Sequence, residues 1–440
     1  MIDQPKFEPP RPQPTGRRLV FFKPKTDFAA VRGAVQRTVG MNTVDSRELH
    51  GSATEMAETL SKGSAVYIER FRIAAIDPGE SPGSTAALQA EDSVAQVRPE
   101  FYLFAIGDLQ QRYAAWAREG LKLLAEGATV ALDSTRAFAT DIRFSQAPFA
   151  DTGDFAWGLA AVGADRSAFS GRGIRIAVLD TGLDLNHPDF ANRNIQTKSF
   201  VPNETVEDRQ GHGTHTAGTI AGARVSKLGR RYGVAPDVEL FVGKVLNDGG
   251  SGRELDILEG MNWAIDNKCC AISMSLGRPV AQGEKPDPLY EEVGLAALRG
   301  ESLIIAAAGN ESARDFGFIA PVGAPANSPS IMAVAAADPN LKVAPFSCGG
   351  INPEGGEVNI AGPGVSIYSS FPRPQLSKVL QGTSMACPHV AGIAALIAES
   401  DPSLRGEKLW KALERSARDL GSIRDFGRGL AQAPDATGST

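Results

Sequence analysis

A few polar residues in this chain could together build a nucleophilic site. Asp180 follows the apolar segment IRIAVL, where a buried carboxylate is costly unless another group pairs with it. His212 and His215 lie three residues apart in GHGTHTAG, at the start of a helical pattern. Ser384 lies in GTSMACPHVAG, where a glycine turn enters a helix of small residues. Carboxylate, imidazole and hydroxyl groups of this kind can activate a serine for attack on a carbonyl carbon.

Each motif also has an ordinary structural interpretation. Asp180 could belong to a DTG turn, Ser384 could cap a helix, and both histidines could be packing residues. Zinc is disfavoured because the histidines lack HExxH spacing and no cysteine is near in sequence. One base and one packed histidine is the better functional interpretation of the pair. The serine motif is not GxSxG, which disfavours the α/β-hydrolases.

Two further residues fit the same chemistry. Asn310, in AAAGNES, follows a strand pattern, and its side-chain amide could donate to an oxyanion, although GN is also a common turn. Gly382 permits a turn that a side chain would obstruct. Ser384 would then stand at a helix N-terminus, where the helix dipole favours developing negative charge.

The elements that must position these residues are short Val- and Ile-rich runs alternating with helical patterns. This alternation predicts an α/β fold with a largely parallel sheet and helices on both faces, whose functional groups gather at the carboxyl ends of the strands. The predicted strands lie at 174–180, 238–246, 271–276, 302–309 and 331–337.

The order Asp, His, Asn, Ser, carried by DTGLD, HGTHTAGT, AAAGN and GTSMACPHVAG, resembles the subtilisin-like serine proteases over roughly residues 156–432. The resemblance implies a serine endopeptidase that forms an acyl-enzyme. It implies that Asp180 orients and supports the histidine, that His212 is the general base and that Ser384 is the nucleophile. Asn310 and the backbone N–H of Ser384 would stabilise the oxyanion.

The same resemblance assigns substrate-binding residues. The SLG segment of Ser275, Leu276 and Gly277 would pair with an extended peptide through main-chain hydrogen bonds. Ala307, Ala308 and Gly309 would form the wall of the primary specificity pocket, and Gly323 would lie at its base. Such a pocket would favour large apolar P1 side chains. We expect Glu311 at the pocket rim to add tolerance for basic P1 residues.

We expect no required cofactor. The family often binds calcium near an aspartate such as Asp189 in NHPDF, but the loop ARVSKLGRRYGVAP offers Lys and Arg where oxygen ligands would be needed. Cys387, three residues after the serine, is interpreted as a packed small residue.

The first part of the chain mixes strand and helix patterns and predicts a small α+β domain. Its size and order suit an inhibitory prodomain, which would occupy the active-site cleft as an intramolecular partner. An unrelated accessory domain is the alternative. The predicted organisation is a Pro-rich tail at 1–16, this domain at 17–106, a helix and linker at 107–155, the catalytic domain at 156–434 and a tail at 435–440.

Composition narrows the class of protein. The 440 residues are 42% hydrophobic and 22% charged, which is typical of a globular protein. The net charge of −6 argues against nucleic acid or an anionic membrane as a partner, and the resemblance implies polypeptide substrates. No signal-peptide pattern or membrane span is evident. We therefore expect a cytoplasmic protein, or a secreted one if a leader precedes this sequence.

Two rival functions use the same residues. An esterase or amidase for small substrates would need the same triad, but the SLG segment and the AAAGN motif favour extended peptides. A pseudoprotease that only binds peptides would not need an activated serine, and the complete residue set argues against it.

Overall fold

The computed structural model describes residues 11–50, 52–77, 82–106, 148–191 and 193–435. Most of the helix and linker predicted at 107–155 lies outside these residues, as do the first ten residues and the last five. The boundary predicted at residue 16 falls within the first strand, which begins at Pro14. Within the described part of the chain, no helix is long and apolar enough to cross a lipid bilayer.

An N-terminal domain of strands and helices precedes a larger α/β domain. The N-terminal elements are β1 Pro14–Phe22, α1 Phe28–Val39, β2 Thr43–Asp45, α2 Ala53–Ser61, β3 Ala65–Ile68, β4 Ile73–Ile76, α3 Pro82–Gln89 and β5 Val94–Ala105.

The elements of the large domain begin at residue 157. Its strands are β6 Arg175–Asp180, β7 Gln196–Ser199, β8 Glu239–Lys244, β9 Ser251–Arg253, β10 Ala271–Met274, β11 Leu276–Gly277, β12 Leu303–Ala307, β13 Met332–Ala337, β14 Ile360–Pro363, β15 Ile367–Ser370 and β16 Ser377–Leu380. Its helices are α4 Trp157–Ala161, α5 His212–Ala221, α6 Glu254–Asp266, α7 Pro288–Arg299, α8 Thr383–Ser400, α9 Glu407–Ser416 and α10 Ile423–Phe426.

The core of the large domain is a seven-stranded parallel sheet in the order β14-β13-β12-β10-β6-β8-β7, with helices on both faces. This confirms the predicted fold class. The five predicted strand runs correspond to β6, β8, β10 with β11, β12 and β13. Their side chains are almost all buried, as expected for strands covered on both faces.

The N-terminal sheet runs β11-β5-β1-β4-β3-β2, so it includes a strand of the large domain. Along β1, Val20 and Phe22 pack with α1 and α3, whereas Leu19 joins the apolar cluster of the large domain. The alternating segment AVYIERFRIAAI at 65–76 predicts one strand, and this prediction is wrong. Residues 69–71 form a 3-10 turn and Arg72 has a φ of 54°, so the segment folds back as the β3–β4 hairpin.

The end of β5 lies between two edge strands of the large domain. It pairs antiparallel with β9, where Leu103 faces Gly252, and with β11, where Phe104 faces Gly277. A peptide segment held in this way by main-chain pairing on both sides is an extended strand added to an existing surface. The N-terminal domain is therefore anchored at the edge where the parallel strands end.

Glu259, on α6, is 4% exposed and lies close to Ser46 and Asp45 of the N-terminal domain. Burial raises the pKa of its carboxyl group to about 7, although a hydrogen bond from Ser46 and the charge of Lys198 oppose this shift. The acidic neighbours are Asp45 and Asp266. The folded protein therefore holds a proton on Glu259 that the unfolded chain releases above its ordinary pKa of 4.5.

Because its folded-state pKa is raised, the stability contributed by protonated Glu259 is present at low pH and is lost as pH rises through about 7. The prediction concerns the Ser384→Ala protein, which lacks the predicted nucleophile. We predict that the titration of Glu259 lowers its free energy of unfolding by up to about 3 kcal/mol between pH 5 and pH 8. Denaturant unfolding at both pH values measures the loss.

Glu259→Gln in the same background should remove that part of the pH dependence. Glu239→Gln is the matched control, since its side chain is about half exposed. An unchanged pH dependence in Glu259→Gln would contradict the prediction.

Candidate active site

The residues predicted to do chemistry meet at the carboxyl ends of the central strands. Asp180 is the last residue of β6, and His212 is the first residue of α5. The Nδ1 atom of His212 lies 2.8 Å from Oδ1 and 3.0 Å from Oδ2 of Asp180. This direct contact fixes which nitrogen of the imidazole faces the carboxylate, and it directs Nε2 away from it.

The Asp180 carboxylate is 1% exposed, so its remaining acceptor capacity must be met inside the protein. The backbone N–H of Thr181 donates to Oδ1 at 2.7 Å, and the hydroxyl of Thr216 donates to Oδ2 at 3.2 Å. These contacts hold the carboxylate in one orientation.

A second buried carboxylate, Asp208, holds the start of α5. It accepts hydrogen bonds from the hydroxyl of Thr181 at 2.9 Å and from the N–H and hydroxyl of Thr214 at 2.8 and 2.7 Å. It also accepts from the N–H of Gly211 at 2.8 Å. Sequence reasoning missed Asp208, although an acidic residue just before a helix start is a recognisable capping signal.

The two histidines of the HGTH motif have different environments. His215 is fully buried, and its Nε2 lies 3.1 Å from the carbonyl oxygens of Ile367 and Lys378. Because both neighbours are acceptors, Nε2 carries the proton. Burial lowers the pKa of His215 to about 3, so it stays neutral and ties α5 to the β15–β16 hairpin.

Ser384 is the second residue of α8, where backbone N–H groups have no acceptor within the helix. Its hydroxyl donates to the carbonyl oxygen of Ser275 at 3.2 Å. The hydroxyl of Ser275 in turn donates to the carbonyl oxygen of Ser384 at 2.7 Å. The predicted nucleophile and the first residue of the SLG segment are therefore locked together.

Asn310 is oriented by the N-terminus of α8. Its Oδ1 accepts hydrogen bonds from the N–H and the hydroxyl of Thr383 at 2.9 and 3.0 Å. Its Nδ2 is buried and has no hydrogen-bond partner among the described residues. Gly382 has a φ of 148°, and a Cβ there would lie 2.8 Å from this Nδ2 atom. The turn thus keeps space around an amide group that is ready to donate.

The predicted peptide-binding residues line the cleft that β5 occupies. Leu276 and Gly277 form β11, and Ser275 precedes them. The carbonyl oxygen of Ser275 accepts the N–H of Ile106 at 3.3 Å. Since the same oxygen accepts the hydroxyl of Ser384, residue 106 lies beside the predicted nucleophile.

Two of the predicted pocket residues, Ala308 and Gly323, are joined by a main-chain hydrogen bond. Ala307 ends β12, and Ala308 accepts the N–H of Gly323 at 2.9 Å. A Cβ on Gly323 would come within 2.6 Å of the carbonyl oxygen of Arg278, and a Cβ on Gly277 would lie 3.5 Å from Cδ1 of Ile106. The side chain of Ile106 therefore borders this glycine-lined wall.

Glu311 is not at an open rim, which corrects the sequence-based expectation. It is 8% exposed, and its Oε2 accepts a hydrogen bond from the thiol of Cys348 at 3.1 Å. Burial raises the pKa of Glu311. A carboxyl group in this position does not offer its charge to a basic substrate side chain.

Two further residues noted in the sequence are packed. Cys387 is buried, and its thiol donates to the carbonyl oxygen of Ile305 at 3.2 Å. Asp189 accepts from the hydroxyls of Ser226 and Tyr232, each at 2.6 Å, and from the N–H of Lys227 at 2.7 Å. Among the described residues, no group of three or more His, Cys, Asp or Glu side chains is arranged to hold a metal ion.

A buried Asp–His pair, a serine at a helix N-terminus and an amide with no partner among the described residues fit the site of a serine hydrolase. A family model described as the subtilase family matches residues 171–429. The chain therefore belongs to the subtilase family, and it is a subtilisin-type serine endopeptidase.

Individual relatives agree with this assignment. The chain is 38% identical over 286 residues to Subtilisin Savinase of Lederbergia lenta, covering 64% of this chain and 98% of that protein. It is 39% identical over 264 residues to Subtilisin E of Bacillus subtilis (strain 168), covering 60% of this chain and 65% of that protein. The solved structure of Sphericase, at 33% identity, superposes with a TM-score of 0.54 over 63% of this chain and 97% of that chain.

We predict that Asn310→Ala lowers kcat by about 10²–10³ and leaves KM nearly unchanged, because the lost amide would act only on the developing oxyanion. That magnitude is the one known for the corresponding asparagine of a subtilisin. Steady-state kinetics on a peptide substrate measure it. Asn340→Ala, in an exposed turn, is the control. A change confined to KM would contradict the role.

Proposed function

We propose that Ser384, His212, Asp180 and Asn310 carry out peptide-bond hydrolysis in this enzyme. The observation that carries the proposal is the contact between Nδ1 of His212 and the buried Asp180 carboxylate. A carboxylate in this position fixes the imidazole tautomer and stabilises the imidazolium that forms during the reaction.

In the first step, Oγ of Ser384 bonds to the substrate carbonyl carbon while its proton passes to Nε2 of His212. The tetrahedral intermediate then breaks its C–N bond, and His212 returns that proton to the leaving amine. Water then attacks the resulting ester while His212 takes its proton, and the carboxylic acid is released as His212 returns the proton to Oγ of Ser384. Nδ2 of Asn310 and the N–H of Ser384 would donate to the oxyanion in both halves.

The N-terminal domain is proposed to inhibit the enzyme by filling its cleft. β5 is paired with both edge strands that an extended substrate would need, and Ile106 reaches the carbonyl oxygen of Ser275. A substrate cannot pair with β9 and β11 while β5 is there. This supports a self-inhibited precursor, with the bond after Ile106 as the first site of self-cleavage.

We also propose that large apolar side chains are preferred at P1. Ile106 occupies the corresponding position and borders Gly277, and the wall beyond it contains Ala308 and Gly323. The charge that Glu311 was expected to supply is buried against Cys348. The pocket wall is therefore apolar and uncharged at these residues.

Intact-mass analysis of the purified chain and of Ser384→Ala, each incubated with denatured casein, tests this function. We predict that only the active protein is cut after Ile106 and that only it degrades casein. Fragment sequencing should then show cuts mainly after large apolar residues.

The two parts of the proposal fail separately in this experiment. The same fragments of the chain in both proteins would exclude self-processing. Cuts in casein that fall mainly after Asp or Gly would contradict the P1 preference. Intact casein in a sample whose chain has been cut after Ile106 would contradict the enzyme function itself.

We propose further that the Asp189 region is stable without calcium. Two hydroxyls and one N–H donate to this carboxylate, whereas calcium needs several oxygen ligands. Lys227 also brings a positive side chain to the loop. The contacts therefore fit a hydrogen-bonded closure of the loop better than a calcium site.

We predict that an excess of EGTA leaves the Tm of Ser384→Ala within about 1 °C of its value in calcium. Asp189→Asn should lower the Tm in both buffers, because the removed charge leaves buried donors less well satisfied. A large EGTA-dependent drop in Ser384→Ala would contradict calcium independence.

A further inference from the structure

The side chain of Arg98, from β5, is inserted between two helix starts of the large domain. Its Nη1 and Nη2 atoms donate to Oε2 and Oε1 of Glu254 at 2.8 and 3.0 Å. Its Nε lies 2.9 Å from Oδ2 of Asp287. The arginine side chain is 9% exposed and the Glu254 side chain is fully buried, so this is an enclosed ion pair.

The acceptor groups all belong to the large domain and are fixed there. Glu254 is the first residue of α6, and the hydroxyl of Tyr290 donates to its Oε1 at 2.6 Å. Asp287 precedes α7, and its Oδ1 accepts the N–H of Leu289 at 3.0 Å, which leaves Oδ2 directed at the arginine. We call Glu254, Asp287 and Tyr290 the guanidinium pocket.

The shape of the guanidinium pocket selects one chemical class. Two parallel N–H···O hydrogen bonds to Glu254 match the planar fork of an arginine, and the Asp287 carboxylate adds an ion-pair contact with Nε. A lysine ammonium group is a point charge and cannot make the paired contact. Both carboxylates lie at helix N-termini, where the positive end of the helix dipole interacts favourably with negative charge.

The pocket is also next to the path of the peptide in the cleft. The N–H of Phe101 donates to Oε2 of Glu254 at 2.8 Å, and Tyr102 pairs with Arg253. If Ile106 stands at P1, Phe101 is the sixth residue before the scissile bond. A long side chain from this position or its two neighbours would reach the pocket.

Removal of β5 would leave these carboxylates without their cation. An arginine that enters the pocket would restore the two charge-assisted hydrogen bonds to Glu254, which are about twice as strong as those between neutral groups. We propose that, once the N-terminal domain leaves, the guanidinium pocket binds an arginine located five to seven residues before the scissile bond of a polypeptide substrate. This inference rests on the proposed function, because it requires Arg98 to be displaced.

The test uses the active form of the enzyme, which is identified by the reaction of its Ser384 with a fluorophosphonate. Peptides with a fixed P1 leucine carry arginine, citrulline or lysine in turn at each of the fourth to eighth positions before the cut. We expect arginine to raise kcat/KM about tenfold over citrulline at one position from the fifth to the seventh, with lysine well below arginine.

Glu254→Gln should bring the arginine-to-citrulline ratio close to one, whereas the exposed Glu239→Gln should keep it. Equal rates for arginine and citrulline peptides at every position in the parent enzyme would overturn the proposal. So would an arginine preference that Glu254→Gln retains.

A second measurement does not depend on processing or activity. In the uncut Ser384→Ala chain, Arg98→Ala empties the pocket, and we expect millimolar propylguanidinium to recover part of the lost Tm. The neutral analogue propylurea should not, and neither compound should stabilise the protein that retains Arg98. Equal effects of both compounds would show that these residues do not select a guanidinium. If this rescue succeeds while the chain is never cut, the pocket stands and the proposed self-processing fails.

Discussion

The buried carboxylate of Asp180 is the constraint around which the site is arranged. At 1% exposure it must be paired, and the structure supplies His212, Thr181 and Thr216 for that purpose. Those partners are themselves held, since Asp208 binds Thr181 and the first turn of α5. The position of the imidazole thus follows from a chain of satisfied hydrogen bonds rather than from one contact.

The edge strands of the cleft impose a second requirement. β9 and β11 carry backbone groups that need partners, and β5 provides them between the two strands. The same pairing that would hold a substrate therefore also holds the N-terminal domain. Buried carboxylates at this junction add conditions on its release, because burial raises the pKa of Glu259 and Glu254 is paired with Arg98.

The parallel strands could be predicted from sequence because burial on both faces selects Val, Ile and Ala runs. Edge strands were harder to predict. β7 reads QTKS and is largely exposed, and β14 reads IAGP, so neither carries the apolar signal. The β3–β4 hairpin was missed because its turn contains no glycine or proline and is made instead by Arg72 at positive φ.

The candidate site was predictable to the extent that its residues end strands or begin helices. Asp180, His212 and Ser384 have such positions, and Asn310 lies in the loop that follows β12, which ends at Ala307. The supporting contacts were not predictable, because they join residues far apart in sequence. Asp208 acts through Thr181, and Glu311 pairs with Cys348 across 37 residues, which removes it from the pocket rim.

The central claim is that the Asp180–His212 pair activates Ser384, and the rate at which a fluorophosphonate modifies Ser384 measures this directly. The measurement is made by intact mass on the processed protein and on Asp180→Asn that tagged parent enzyme has cut after Ile106 and from which that enzyme has been removed, with circular dichroism to verify the fold. We predict that labelling of Ser384 slows at least about a hundredfold in Asp180→Asn, because the asparagine favours the wrong imidazole tautomer. Labelling of a folded Asp180→Asn protein at the parent rate would contradict the account.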